Sequence, residues 1–284
     1  VTSDSTIILL GERGEIKPKP RGETRRFGVG RFALVTIALF TFAFLYVPIV
    51  VLIVFSFNSA RTGATWQSFT LQWYDRVFSN TRILEAAANS LIVATLSTLG
   101  AVVIGTLMAM AMERYRFRGQ SAWDGLLYLP VIVPEIVMGI SLLIFFAAVN
   151  ISRGLLTLII SHIAFCMPFV YLTMRARLAD FDRSVEEAAQ DLGANEWVTF
   201  RRVTLPLLMP GIISSALLAF TLSLDDFVIS FFVTGVGSQT LPVYIWGQIR
   251  RGITPEINAI SALMLVLSIV LVIATQLIQH RQRT

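Results

Sequence analysis

The chain has 284 residues, 55% of them hydrophobic and 14% charged, and a mean hydropathy of +0.71. A water-soluble core cannot hide that much apolar material, so a soluble globular fold is excluded and an integral membrane protein is indicated. The one cysteine, Cys166, excludes a disulfide framework and a multi-thiolate zinc site, and the net charge of +5 follows from the loop charges described below without invoking nucleic acid.

Residues 1–30 mix Gly, Pro and both charge signs without apolar periodicity and without a small-residue cleavage pattern. They are expected to be a flexible cytoplasmic tail, and residues 31–284 one membrane domain. A helix needs about 20 apolar residues to cross roughly 30 Å of hydrocarbon. Six stretches qualify: 32–57, 88–112, 126–149, 154–175, 211–233 and 259–279. The predicted fold class is all-α, a polytopic membrane protein of six transmembrane helices.

After the first span, residues 58–87 form a polar loop with Trp66, Trp73 and Tyr74, side chains of the kind that anchor a chain at the membrane interface. The third span contains "YLPVIVPEIVMG", with Pro130, Pro134 and then Glu135. Each proline removes a backbone donor, so Glu135 is expected to open a half-helix whose unpaired amides favour a carboxylate. It lies roughly 14 Å from the start of the span near Leu126. On the fourth span His162 and Cys166 are four residues apart and share a face, a spacing that suits helix packing better than metal binding.

The loop 176–209 contains "DRSVEEAAQDLGANEWVTFRRVTLPLLMP". Ser184 and Glu187 have the spacing of a capping box, Val185, Ala188, Ala189 and Leu192 form an apolar stripe, and Gly193 is placed to end the helix. Asn195 caps a second helix with Trp197, Val198 and Val203, which Pro206 is expected to stop. The product is a helix pair on the membrane surface. Ala188, Ala189 and Gly193 let another protein approach the backbone closely, while Glu187, Arg201 and Arg202 are suited to fixing its register.

The fifth span sets "LSLDDFVIS" in otherwise apolar sequence. Each aspartate at a helix centre costs roughly 2.5–3.5 kcal/mol on insertion scales. On one continuous helix, Ser215, Ala219, Ser223, Asp226 and Ser230 form a small, polar stripe, with Asp225 about 100° away and roughly 21 Å from Gly211. Two roles fit these carboxylates: bonding to neighbouring helices or backbone, or lowering the barrier for a passing cation. The loop 234–258 that follows carries Tyr244 and Trp246, as interface anchors or as π-rich contacts beside the same route.

Of the 23 Lys and Arg, about seventeen fall on the side of the N-terminus and about six on the other, which predicts both termini in the cytoplasm. No G-x-x-x-x-G-K-[ST] phosphate loop is present, so the chain cannot cradle ATP in the usual way. Nor does any grouping of residues assemble a nucleophile with its base.

Glu187, Ala188, Ala189, Gly193, Leu205 and Pro206 reproduce the EAA, Gly and Leu-Pro spacing of the binding-protein-dependent ABC importer permeases, with Val203 in place of an isoleucine. Within that family the chain resembles the spermidine/putrescine group through "FTLSLDD" at 220–226, Val233, Thr234 and Gly235, Pro134 with Glu135, "SHIAFCMPFV" and "TPEINAISALMLVLS". The resemblance covers roughly residues 30–280. It implies a type I importer permease in the bacterial inner membrane, whose helix pair over 184–206 docks into a groove on a cytoplasmic ATPase. It implies a second permease subunit, two ATPase subunits holding ATP and Mg, an external solute-binding protein, and no cofactor on this chain. It also implies a polyamine path, for which the candidates are Glu135, Asp225, Asp226, Ser223, Ser230, Tyr244 and Trp246. Two alternatives stand beside it: the same architecture serving another small cationic or zwitterionic solute, and a proton-coupled secondary transporter using the same carboxylates.

Overall fold

The computed structural model describes residues 29–60, 65–252 and 254–281; the tail expected over residues 1–30 lies almost wholly outside them. The chain divides into two units, residues 1–48 and 49–284. All of the first unit's described part belongs to α1 (Val29–Phe55), 27 residues long and interrupted by no charge after its first turn. At 1.5 Å per residue it is about 40 Å long, enough to cross a bilayer.

The second unit is helical throughout, and its described residues contain no sheet, only an isolated bridge between Asn58 and Phe69. The short α2 (Gln72–Ser79) leads into α3 (Thr81–Arg114), then α4 (Gln120–Ile132), α5 (Glu135–Ala148) and α6 (Leu155–Ala179). α7 (Ser184–Asp191) and α8 (Glu196–Thr199) precede a π-helical segment, Phe200–Thr204, which runs into α9 (Leu205–Asp225). α10 (Val228–Val233), α11 (Leu241–Ile249) and α12 (Pro255–Arg281) complete the chain. Five helices among the described residues are long and apolar enough to cross a membrane, and the pair α4 and α5, bent by 106° at its break, counts as a sixth if taken as one span.

α3, α6 and α9 form the centre of the unit, and they approach closely because their facing positions are small. Ala94, Ala101 and Ala109 on α3 are fully buried, and a Cβ added at Gly105 would stand 2.8 Å from Val170 of α6. Small residues are the usual means of bringing membrane helices together, since lipid offers no hydrophobic drive for their association. On α9, Leu208 and Ala219 are buried in the same core. A second cluster joins Trp73 and Val77 of α2 and Ile83 of α3 to Ala259 and Ile260 of α12.

Three local expectations are corrected by the fold. Pro206 does not stop a helix: residues Glu196–Asp225 form one continuous apolar rod, and the Leu205 amide bonds back to the Phe200 carbonyl across the π turn. The proline falls in the first turn of α9, where its missing N–H is least disruptive. The fifth span does not run unbroken to residue 233, because α9 ends at Asp225 and α10 begins at Val228. Trp73 is no interface anchor. Its side chain is buried and its indole Nε1 donates to the Asn58 carbonyl at 2.7 Å.

After α10, the turn at Gly235 presses on the backbone that enters α6: a Cβ there would lie 2.0 Å from the Arg153 carbonyl oxygen. No flexible side chain can yield at that contact, so Gly235→Ala is expected to displace the turn and destabilise the subunit by about 2–3 kcal/mol. The loss will register as a lower midpoint for thermal loss of monodisperse protein in detergent; an unchanged midpoint would contradict this packing.

Candidate transport and coupling sites

At one end of the bundle α7 and α8 form the helix pair anticipated from the sequence. The predicted capping box is not made: the Asp182 carboxylate accepts from the Ser184 amide at 2.9 Å, and this bond holds the Asp182 carboxyl below the usual carboxylate range. The C-terminus of α7 is a Schellman turn, with Gly193 N–H bonded to the Gln190 carbonyl and Ala194 N–H to that of Ala189. Gly193 takes φ +89°, a left-handed conformation that a Cβ disfavours. Asn195 caps α8 as expected, its Oδ1 accepting from the Val198 amide at 2.9 Å.

α7 buries none of its residues. Glu187, Ala188 and Gly193 are exposed, Ala189 is half-buried, Arg201 and Arg202 are both exposed within the π segment, and Leu205 is half-buried and Pro206 exposed at the foot of α9. Leu192 is 90% exposed and Trp197 67% exposed. The adjacent Glu186, to which no sequence signal points, is turned inward instead, where its carboxylate takes hydrogen bonds from Arg114 of α3 and Thr204 of the π segment.

The aspartates lie where two helices part. α9 ends at Asp225, and Asp226 adopts φ −63°, ψ 122°, an extended conformation that takes the chain out of the helix. The Asp226 side chain then caps α10, accepting from the Ile229 amide at 3.3 Å and the Ser230 amide at 2.8 Å. This local competition of aspartate with the helical ladder is the physical cause of the break.

Ser223, Asp226 and Ser230, all candidates for the solute path, are buried together within the subunit, where Asp226 takes the first of its two open roles, bonding to backbone and a neighbouring helix. His162 of α6 holds them: its Nδ1 is 2.7 Å from Ser223 Oγ and its Nε2 2.9 Å from Ser230 Oγ. Asp226 Oδ2 lies 3.4 Å from the same Nε2, and Ser97 of α3 extends the chain to Ser223 at 3.0 Å. With Nε2–H toward Ser230 and Asp226, Nδ1 accepts from Ser223, so both ring nitrogens are satisfied in one tautomer. The packing role expected for His162 is thus a polar one, and its partners are 61 to 68 positions away in sequence. Cys166 faces the same core, 3.5 Å from the Ala219 carbonyl.

Asp225 turns the other way. It is exposed, and both of its oxygens accept from Ser268 of α12 at 3.0 Å; it makes no ion pair among the described residues. Glu135 is exposed at the first position of α5, after the extended Pro134. Its half-helix packs on α10, with Gly139 against Phe232. Trp246 belongs to a helix, α11, rather than to a loop, and lies beside the break with its ring 5.2 Å from Phe227. Tyr244, half-buried, lines a separate cleft of about 640 Å³ with Arg82, Arg251 and Glu256. Among the described residues, no group of His, Cys, Asp and Glu is arranged to hold a metal ion.

A membrane bundle with two interrupted spans, acids at the interruptions and an outward-facing helix pair at one end is the construction of an importer permease. The model of the family "Binding-protein-dependent transport system inner membrane component" matches residues 101–284. The chain is 48% identical over 237 residues to the spermidine/putrescine transport system permease protein PotC of Escherichia coli K12, covering 84% of this chain and 90% of that one. It is 40% identical over 238 residues to the putrescine transport system permease protein PotI of the same strain, covering 81% and 85%. Among solved structures, a bacterial alginate ABC transporter with its pentasaccharide-bound periplasmic protein has a chain of the same fold, at TM-score 0.67 and 18% identity over 90% of this chain and 96% of that one. The chain belongs to the binding-protein-dependent inner-membrane permeases, in the PotC-like group.

Proposed function

We propose that this chain is one of two permease subunits of an ATP-driven polyamine importer, that it lies in the bacterial inner membrane with both termini in the cytoplasm, and that it takes its energy from cytoplasmic ATPases seated on α7 and α8. Residues 31–284 act as one permease domain. The end of the bundle carrying Arg114, Arg175, Arg183, Arg201 and Arg202 is the positive-inside face. An external solute-binding protein delivers putrescine or spermidine to the other face. Closure of the ATPases moves the helix pair, and the bundle alternates between outward and inward access.

The observation that carries the reading of a cationic solute is Asp225. An exposed carboxylate far along a membrane span is not stable against lipid; it persists against a water-lined route or a sister subunit. The last carbonyls of α9 have no helical partners and concentrate partial negative charge at the same place. Carboxylate and helix terminus together make a shallow electrostatic well for an ammonium group, the arrangement expected where broken helices meet a transported ion. Glu135 and Trp246 supply further anionic and π contacts. Ser223, Asp226 and Ser230 support the route from behind, through His162, without facing it.

The test uses the chain assembled with its sister permease, ATPase and binding protein in proteoliposomes. Labelled putrescine or spermidine should accumulate with ATP, and an ATPase variant unable to hydrolyse nucleotide should abolish the uptake. Uptake that survives the dead ATPase would mean a secondary transporter, and uptake of neither polyamine would remove the substrate assignment.

A further inference from the structure

No residue of α7 is fully buried, so its hold on the bundle does not come from an apolar side chain sunk in the core. What joins it laterally is polar. The Glu186 side chain, 13% exposed, directs one oxygen, Oε1, to two partners on different elements: the Arg114 guanidinium at the end of α3 and the Thr204 hydroxyl at the end of the π segment. Nearby, Arg183 Nη2 donates to the Glu113 carbonyl at 2.7 Å, a second tie from the entry of α7 to α3.

The two elements that Glu186 grips lead into two rods of the second unit's core. α3 extends about 50 Å from Arg114 back to Thr81, and α9 about 30 Å from Leu205 to Asp225. The grip on α9 falls where the helical ladder is already loosened: the Leu205 N–H reaches the Phe200 carbonyl, whereas in a regular α-helix it would bond that of Arg201. π turns of this kind are frequent at functional positions in helices.

Resting on the reading of this chain as an ATP-coupled permease, we propose that Glu186 is the joint through which α7 passes the ATPase-driven displacement to α3 and α9, beside the direct run of α8 into α9. The surface of α7 and α8 receives the ATPase, and Glu186 beneath it divides the resulting displacement between α3 and α9. Glu186 is a positioning residue: it faces the permease and leaves the docking surface formed by Glu187, Ala188 and Gly193 intact. Its loss is expected to separate ATP hydrolysis from transport, and not to prevent docking.

The experiment reconstitutes the complete importer and reads labelled putrescine uptake and phosphate release from the same vesicles. For Glu186→Gln, uptake should fall by about tenfold while phosphate release stays within about twofold of native, so that solute moved per ATP collapses. Exchanging the charges, Arg114→Glu with Glu186→Arg, should restore much of the uptake. Uptake and hydrolysis falling in proportion, uptake unchanged, or a charge exchange no better than the single variant would each overturn the proposal. If Glu186→Gln fails to assemble, Thr204→Val removes one arm of the joint and is read by the same ratio. Failure of the underlying reading looks different: native vesicles would then show no ATP-dependent uptake, and the proposal would fall with it.

Discussion

Asp225→Asn lowers polyamine uptake by about tenfold or more while the subunit still assembles with its partners. At about 6 Å and an effective dielectric near 20, a carboxylate and an ammonium group attract by about 3 kcal/mol, and asparagine keeps the shape while removing the charge. The folding consequence is small, because Asp225 is exposed and its hydrogen bonds come from a single hydroxyl, that of Ser268; an asparagine oxygen can accept from the same group. The measurement is initial uptake of labelled putrescine across a concentration series, with the amount of assembled complex determined in parallel. Native uptake from a normally assembled Asp225→Asn importer would remove the acidic route proposed above.

Asp226→Asn is a different experiment, although the two residues are neighbours in sequence. The side chain of Asp226 is occupied with the amides of Ile229 and Ser230 and with His162. Its replacement tests the junction of α9 and α10 and gives no clean reading of the solute route.

The difference between these aspartates shows what the sequence conceals. Apolar length marks the spans because hydrocarbon thickness imposes it, and the half-helix at Glu135 is legible because Pro134 cannot donate a backbone hydrogen bond. The Gly193 turn and the Asn195 cap are equally local, and sequence spacing is sufficient to find them. The break after Asp225 contains no proline or glycine. It depends on an aspartate side chain taking amides three and four positions ahead, a competition that helical periodicity does not register. Projected onto an unbroken helix, Ser223, Asp226 and Ser230 share a face; that the face turns inward depends on His162, which only the tertiary packing brings to them. Glu186 is hidden for a similar reason: its partners, Arg114 and Thr204, lie 72 and 18 positions away, and nothing in its local spacing separates it from the exposed Glu187 beside it. For Trp73, a buried indole and an interfacial one have the same local sequence signature, and only the Asn58 carbonyl distinguishes them.

The His162 network is where the largest loss of stability is expected. His162→Ala removes a fully buried ring, deprives the Ser230 hydroxyl and one face of the Asp226 carboxylate of their partner, and leaves Ser223 with Ser97 alone. An unsatisfied buried polar group costs about 1–3 kcal/mol, more where it is charged, and the emptied ring volume adds to this, so a loss of about 3–4 kcal/mol is expected for the variant. For a chain of this size that corresponds to a fall of roughly 6–12 °C in the thermal midpoint, measured as loss of monodisperse subunit on heating in detergent. His162→Gln, which can still offer a donor and an acceptor, should lose less. Because His162 and Asp226 act on one network, the double variant His162→Ala with Asp226→Ala should be less damaging than the sum of the two single changes. Strict additivity, or a midpoint unmoved by His162→Ala, would mean that the α9–α10 junction is held by packing alone, and the separation of a structural Asp226 from a solute-facing Asp225 would lose its physical basis.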